Sequence, residues 1–339
     1  MSARRVPLSE ADHIRQIQGV VGLIDRFSPK IRLAIGDDAA AFRPSPGSLI
    51  LLSMDALVEG SHFDLQYFTP EDLGWKALAV NLSDIAAMGG QPLCFATSIS
   101  IRKAGSLQFV RKLYRGMMDL ADRLGVALVG GDTCVSPHAL FLDLTAIGEV
   151  KETDLVRRCG AQPGDFLYVS GELGGSAMGL ELLRNRRLRT CASHYPDLVR
   201  RHLRPVPRCE IGRLLARRHL ASSMIDLSDG LSTDLHHLCE SSQVGAVIDA
   251  SMIPVASVPG QRQPLLRKSP LHYAMNGGED YELLFTVPAG LRRKVPSGVG
   301  GIPLHEIGVI TRENGKCLLR DQGKLKRFSA GGFDHFAVD

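Results

Sequence analysis

The spacing of apolar and polar positions cuts the chain into short strands and amphipathic helices. Residues 49–54, "LILLSM", read as a short buried strand that ends at Asp55. From Pro70 the period changes. Leu73, Ala77, Val80, Asp84, Ile85 and Met88 recur at three- and four-residue steps, which predicts a helix, and Gly89-Gly90 supplies its C-terminal stop. A second helix is expected over about 106–124, a strand over about 126–130 closing on "GGDT", and another strand over about 140–149.

Near residue 160 the character changes. "GAQPGDFLYVSGELGGSAMG" reads as turn, strand, glycine-rich loop and helix start. "IDLSDGLSTDL" then precedes a helix, 245–249 forms a strand, and "NGGEDYELLFTV" enters another. No fixed-period repeat is present, and strands and helices do not alternate strictly as in a doubly wound sheet. The pattern predicts an α+β (mixed α/β) chain of two domains, residues 1–152 and 153–339.

One position on the first helix stands out. Asp84 sits among Val80, Ile85 and Met88, and an ionised carboxylate on a buried face costs several kcal/mol unless paired. A cation opposite Asp84 would remove that cost.

Composition narrows the partners. Of 339 residues 44% are hydrophobic and 22% charged, ordinary for a globular protein. The net charge of +4 is scattered, and with 6% aromatic residues no basic, base-stacking stripe for nucleic acid is formed. The seven cysteines are widely spaced without C-x-x-C, so neither a zinc site nor a disulfide framework is expected. "MSARRVPLSEADHIRQ" has no apolar core of a secretory signal, and no run approaches the 18 apolar residues of a membrane helix. A soluble cytoplasmic protein is the expectation.

Candidate chemistry lies in acidic segments rich in glycine and small residues. They are "IGDDAAAF" (35–42), "SMDALVEGSHF" (53–63), "NLSDIAAMGG" (81–90), "GGDTC" (130–134), "IDLSDG" (225–230) and "NGGEDYELLF" (276–285). Aspartate is common at turns and caps, so each alone carries little weight. Together, short carboxylates beside glycine suit a hard cation, and Mg²⁺ completes its shell with phosphate oxygens and water. No G-x-x-x-x-G-K-[ST], protein-kinase set or G-x-S-x-G is present. "GELGGSAMG" (171–179) is glycine-rich enough to meet phosphates with backbone amides. From the residues alone the reading is several Mg²⁺ ions holding a polyphosphate.

These segments, in this order over nearly the whole chain, resemble the thiamine-monophosphate kinase family. "VEGSHF", "WKALAVNLSDIAAMG", "IDLSDGLSTDL" and "GGEDYELLFT" are the most specific pieces. The resemblance implies ATP-dependent phosphorylation of thiamine monophosphate to thiamine diphosphate, an N-terminal α/β domain whose sheet forms a homodimer, and a C-terminal α/β domain. It implies Asp38, Ser53, Asp55, Asp84, Asp132, Asp226 and Asp229 as Mg²⁺ contacts. Tyr114, Gly131, Asp132, Arg158 and Ser228 fall where the family contacts ATP, and His62, Glu279 and Phe333 where it contacts thiamine monophosphate. The family usually has threonine where this chain has Met54, whose thioether is a poor ligand for Mg²⁺. No catalytic acid or base is implied: the acceptor phosphate has a second pKa of about 6 and is already largely anionic. Positioning and charge neutralisation then carry the transfer. The alternatives are a sister enzyme of the same ATP-binding superfamily, which includes aminoimidazole ribonucleotide synthetase and selenophosphate synthetase, and a non-catalytic nucleotide-binding module. The first cysteine is Cys94, not in an N-terminal glycine-rich loop, which counts against selenophosphate synthetase.

Overall fold

The computed structural model describes residues 19, 29–102, 107–190, 192–257 and 266–332. The chain divides into two compact units, Met1–Asn81 with Pro92–Glu149, and Leu82–Gln91 with Val150–Asp339.

The first unit holds β1 (Ile31–Leu33), β2 (Ala41–Phe42), β3 (Ser48–Val58), α1 (Pro70–Ala87), β4 (Gln91–Arg102), α2 (Leu107–Leu124), β5 (Ala127–Ser136) and β6 (Phe141–Lys151), with α1 continuing into the second. Its four-stranded sheet has the order β3-β6-β4-β5, and β4 and β5 are parallel, joined through α2. α1 starts where the sequence provides a cap: Thr69 Oγ1 accepts the Asp72 N–H at 3.1 Å, and its hydroxyl donates to the Asp72 carboxylate at 2.6 Å. The two helices pack through glycines. A Cβ on Gly74 would lie 1.9 Å from the Leu113 carbonyl oxygen, and one on Gly116 1.9 Å from that of Glu71. Two expected ends are corrected. β3 continues past Asp55 to Val58, and β5 runs through "GGDT" to Ser136, so Asp55 and Asp132 lie inside edge strands. Local turn residues predict stops that the sheet's pairing overrides.

The second unit holds β7 (Phe166–Ser170), α3 (Gly175–Arg184), α4 (Arg186–Arg189), α5 (Pro196–Leu203), α6 (Cys209–Arg217), β8 (Ser223–Asp226), α7 (Leu231–Ser242), β9 (Gly245–Asp249), α8 (Pro270–Asn276), β10 (Leu283–Val287), β11 (Gly298–Val299), β12 (Ile302–Thr311), β13 (Cys317–Asp321) and β14 (Lys324–Arg327). The sheet order is β14-β13-β9-β12-β7-β10-β8, with β11 beside β12 and only β9 and β13 parallel among the described pairs. Strand alternation loads both faces. Leu167, Val169, Ile225 and Leu284 pack with Leu231, Leu235 and Leu238 of α7, while Tyr168, Met224, Leu283 and Phe285 pack with Ile211 and Leu215 of α6. Glu282, buried at the start of β10, is paired by Arg208 (Nε to Oε2 2.7 Å, Nη2 to Oε1) and accepts the Ser170 hydroxyl at 2.5 Å. Among the described residues no helix is long and apolar enough to cross a membrane.

Candidate functional site

In the first unit, strand alternation sorts the residues of β3. Ser53 and Asp55 share one face, and Ser53 is buried with its hydroxyl 3.4 Å from Asn81 Oδ1. Leu52 and Met54 take the opposite face, 67% and 62% exposed, so the expectation of a buried strand is corrected: β3 is an edge strand open on that face. The thioether that departs from the family pattern therefore lies on the other side of the strand from Ser53 and Asp55. His62, in the turn after β3, accepts the Val58 N–H on Nδ1 at 3.0 Å, which leaves the neutral ring's proton on Nε2 as a donor. Asp38 is exposed, its own N–H held by the Asp37 carboxylate at 2.9 Å.

Asp132 is exposed on β5 and accepts the Thr133 N–H at 2.9 Å. Tyr114, buried on α2, hydrogen-bonds the Thr133 side chain; burial pushes its phenol up, the Thr133 bond opposes that, and the charge of Asp132 adds to it. Gly131 has a backbone reason to be glycine, since a Cβ there would lie 2.4 Å from the Thr97 carbonyl oxygen of β4. The strand order places β6 and β4 between Asp55 and Asp132.

In the second unit the expectation for Asp84 is corrected. From Leu73 to Ala87 every residue of α1 is buried except Asp84, which is exposed. The buried neighbour is Ser83, and its hydroxyl donates to Asp226 Oδ2 at 2.6 Å. The buried carboxylate is thus Asp226, at the end of β8 and 6% exposed. Apolar periodicity marks the helix and one buried face, whereas the helix is buried all round except at Asp84, and the pattern cannot show where that packing opens.

Beyond Asp226 the chain turns through the half-buried Ser228 and Asp229 into α7. Asp234, in the first turn of that helix, accepts the N–H of Asp229 at 3.1 Å and of Gly230 at 3.0 Å. Burial first, then repulsion from Asp229 and Asp226, push its carboxyl up to about 8, against the two amide bonds. Sequence reasoning missed this residue; an acid in the first turn after "SDG" was the available signal. Glu279 follows in a strained backbone, with φ of +67° there and +51° at Tyr281. Its N–H donates to the Ser228 carbonyl at 2.7 Å, and its carboxylate lies 3.2 Å from Nδ1 of the buried His202, a second residue missed.

The glycine-rich segment is also corrected. The N–H groups of Gly174 and Ser176 donate to the Asp280 carboxylate at 2.6 and 3.1 Å, so the chain itself occupies those amides at the start of α3. Burial lifts Asp280 to about 7, with Glu282 adding to the rise and the two amide bonds and Arg201 opposing it. Arg158 is exposed, and Phe333 lies outside the described residues.

Among the described residues no three His, Cys, Asp or Glu side chains form a metal cluster by themselves. Mg²⁺ needs only one or two carboxylates where phosphates and water complete the shell. Asp226, Ser228 and Asp229 offer oxygen donors only, the donor chemistry that Mg²⁺ takes, so the residues fit the ion.

Comparison with known proteins follows the same lines. The models "AIR synthase related protein, N-terminal domain" and "AIR synthase related protein, C-terminal domain" match residues 36–150 and 162–318. The chain is 38% identical to the thiamine-monophosphate kinase of Escherichia coli (strain K12), covering 94% of this chain and 99% of that one. The crystal structure of thiamine-monophosphate kinase from Stenotrophomonas maltophilia K279a superposes with a TM-score of 0.80 at 35% identity, over 94% of this chain and 98% of that one. The complex "AaThiL complexed with AMPPCP and TMP" gives 0.72 at 30% identity, over 99% and 100%.

Proposed function

The chain belongs to the thiamine-monophosphate kinase family, and from that premise we propose how its residues serve ATP-dependent phosphorylation of thiamine monophosphate. The end-to-end likeness to enzymes of that name, one solved with an ATP analogue and TMP, carries the reading.

Asp38, Ser53, Asp55 and Asp132 in residues 1–152, and Asp84 of α1 with Asp226 and Asp229 of 153–339, are assigned to Mg²⁺. Bound Mg²⁺ supplies neutralisation and alignment of phosphate oxygens. Tyr114, Gly131, Asp132, Arg158 and Ser228 are assigned to ATP. Of these, Ser228 is supported by its place between Asp226 and Asp229, whereas Tyr114 acts through Thr133 and the Asp132 strand. His62, Glu279 and Phe333 are assigned to thiamine monophosphate. The Nε2–H of His62 is a donor suited to a phosphate oxygen. None of these groups needs to move a proton, because the acceptor phosphate is the nucleophile.

A homodimer through the first unit is part of the proposal, supported by the exposed apolar residues Ile50, Leu52 and Met54 of β3. So is a cytoplasmic location, in keeping with described cysteines that are all free thiols.

The test is ADP release by purified protein with ATP, Mg²⁺ and thiamine monophosphate. Release should require that acceptor and stop on chelation. Equal release with thiamine would overturn the acceptor assignment. Asp132→Asn, exposed and so harmless to the fold, should raise the Mg²⁺ needed for half-maximal rate about tenfold.

A further inference from the structure

The first turn of α7 does more than start a helix. Oδ2 of Asp234 accepts two successive amides, those of Asp229 and Gly230, at 3.1 and 3.0 Å. Gly230 has φ +108°, and a Cβ there would lie 2.9 Å from the Gly277 carbonyl oxygen, so the turn admits no other residue without a shift. The opposite side of the same peptide is also held. Gly332 packs so closely on the Asp229 carbonyl that a Cβ would lie 1.9 Å from its oxygen. The Gly332 N–H donates to Thr233 Oγ1 at 3.0 Å, and the Gly331 N–H to Ser232 Oγ at 3.2 Å. Three consecutive side chains of one helical turn thus fix the main chain of Asp229 from both sides, while the residue itself remains half-exposed.

We propose that Asp234 is a positioning residue for the acidic loop: it holds the Asp229 and Gly230 peptides so that the Asp229 carboxylate is presented in one place, and Ser232 and Thr233 clamp the Gly331–Gly332 segment on the far side. The role rests on the assignment of Asp229 to Mg²⁺ made above. A displacement of about 1 Å at such a group can lower the rate about a hundredfold.

Positioning and metal ligation make opposite demands on the side chain. A ligand needs the negative charge. A positioning residue needs one acceptor oxygen in the same place, because a single oxygen takes both amides. Asparagine supplies that oxygen without charge, and alanine supplies neither.

The experiment compares Asp234→Asn and Asp234→Ala in the full chain, reading amide hydrogen exchange at Asp229 and Gly230 without metal, then kcat with ATP, Mg²⁺ and thiamine monophosphate. Asp234→Asn should keep exchange and kcat within about threefold of wild type, whereas Asp234→Ala should speed exchange at these two amides about tenfold or more and lower kcat about a hundredfold. Exchange at the core amides of β10 serves as the control for general destabilisation. Equal loss of kcat in both variants, or unchanged exchange in Asp234→Ala, overturns the proposal. Should Asp234→Ala not fold, Asp234→Asn decides alone: kept exchange with kept turnover supports positioning, and kept exchange with lost turnover makes Asp234 a charge-bearing ligand. A wild-type chain that transfers nothing to thiamine monophosphate would refute the functional reading, while the exchange comparison would still decide what Asp234 holds.

Discussion

Asp280 caps the N-terminus of α3 with a carboxylate whose proton affinity the fold has raised. In the folded chain it takes its proton near pH 7, against an ordinary value of 3.8. Between those values the folded state holds more proton than the unfolded one. Its contribution to stability is therefore fully present below the ordinary value and is lost as pH rises toward 7. Asp280→Asn keeps an acceptor oxygen without the charge. The difference in melting temperature, variant minus wild type, should become more positive from about pH 5.5 to about pH 8. A difference that stays constant would mean that the carboxyl titrates normally. The same scale shows what reading single residues can miss. "SDIAAMGG" marks Asp84 as an acid among apolar neighbours, yet the buried carboxylate is Asp226, and Ser83 is the residue that meets it. Which of two adjacent side chains points inward depends on the partner's surface, absent from local pattern.

α1 and α2 approach so closely that backbone meets backbone. Gly74 and Gly116 make this possible, each where a Cβ would lie 1.9 Å from a carbonyl oxygen of the other helix. Helix propensity alone predicts that Gly74→Ala stabilises by about 1 kcal/mol. Overpacking predicts the reverse, and it should win: we expect a net loss of about 1–3 kcal/mol by denaturant unfolding. A more stable variant would show that the helices separate at little cost. Long periodic elements such as α1 and α2 were legible in sequence because many residues repeat one spacing. The short helices α5, α6 and α8 and the strands β12 to β14 were not. α5 buries Leu198 and His202 and α6 buries Ile211 and Leu215 on one face, but so short a helix repeats the spacing too few times to fix it, and the strands gain their structure from the sheet they join.

At the scale of the whole molecule, the exposed apolar face of β3 bears on assembly. Ile50, Leu52 and Met54 lie on one face of an edge strand, and Leu52 is the most exposed of the three. In the proposed homodimer Leu52→Glu should convert the chain to monomer in sedimentation velocity, with the far-ultraviolet spectrum unchanged. A wild-type chain that sediments as a monomer would dismiss the dimer. The family and its chemistry were determined by sequence alone. Acidic and glycine-rich segments in a fixed order carry the likeness to that family, because an ordered set of residue types is legible without knowledge of distances. Tertiary structure alone decided which carboxylates are buried, which amides "GELGGSAMG" already uses, and that Asp234 holds the loop beside it. Those outcomes depend on packing between segments distant in sequence, where a neighbour's surface sets burial and hydrogen bonding.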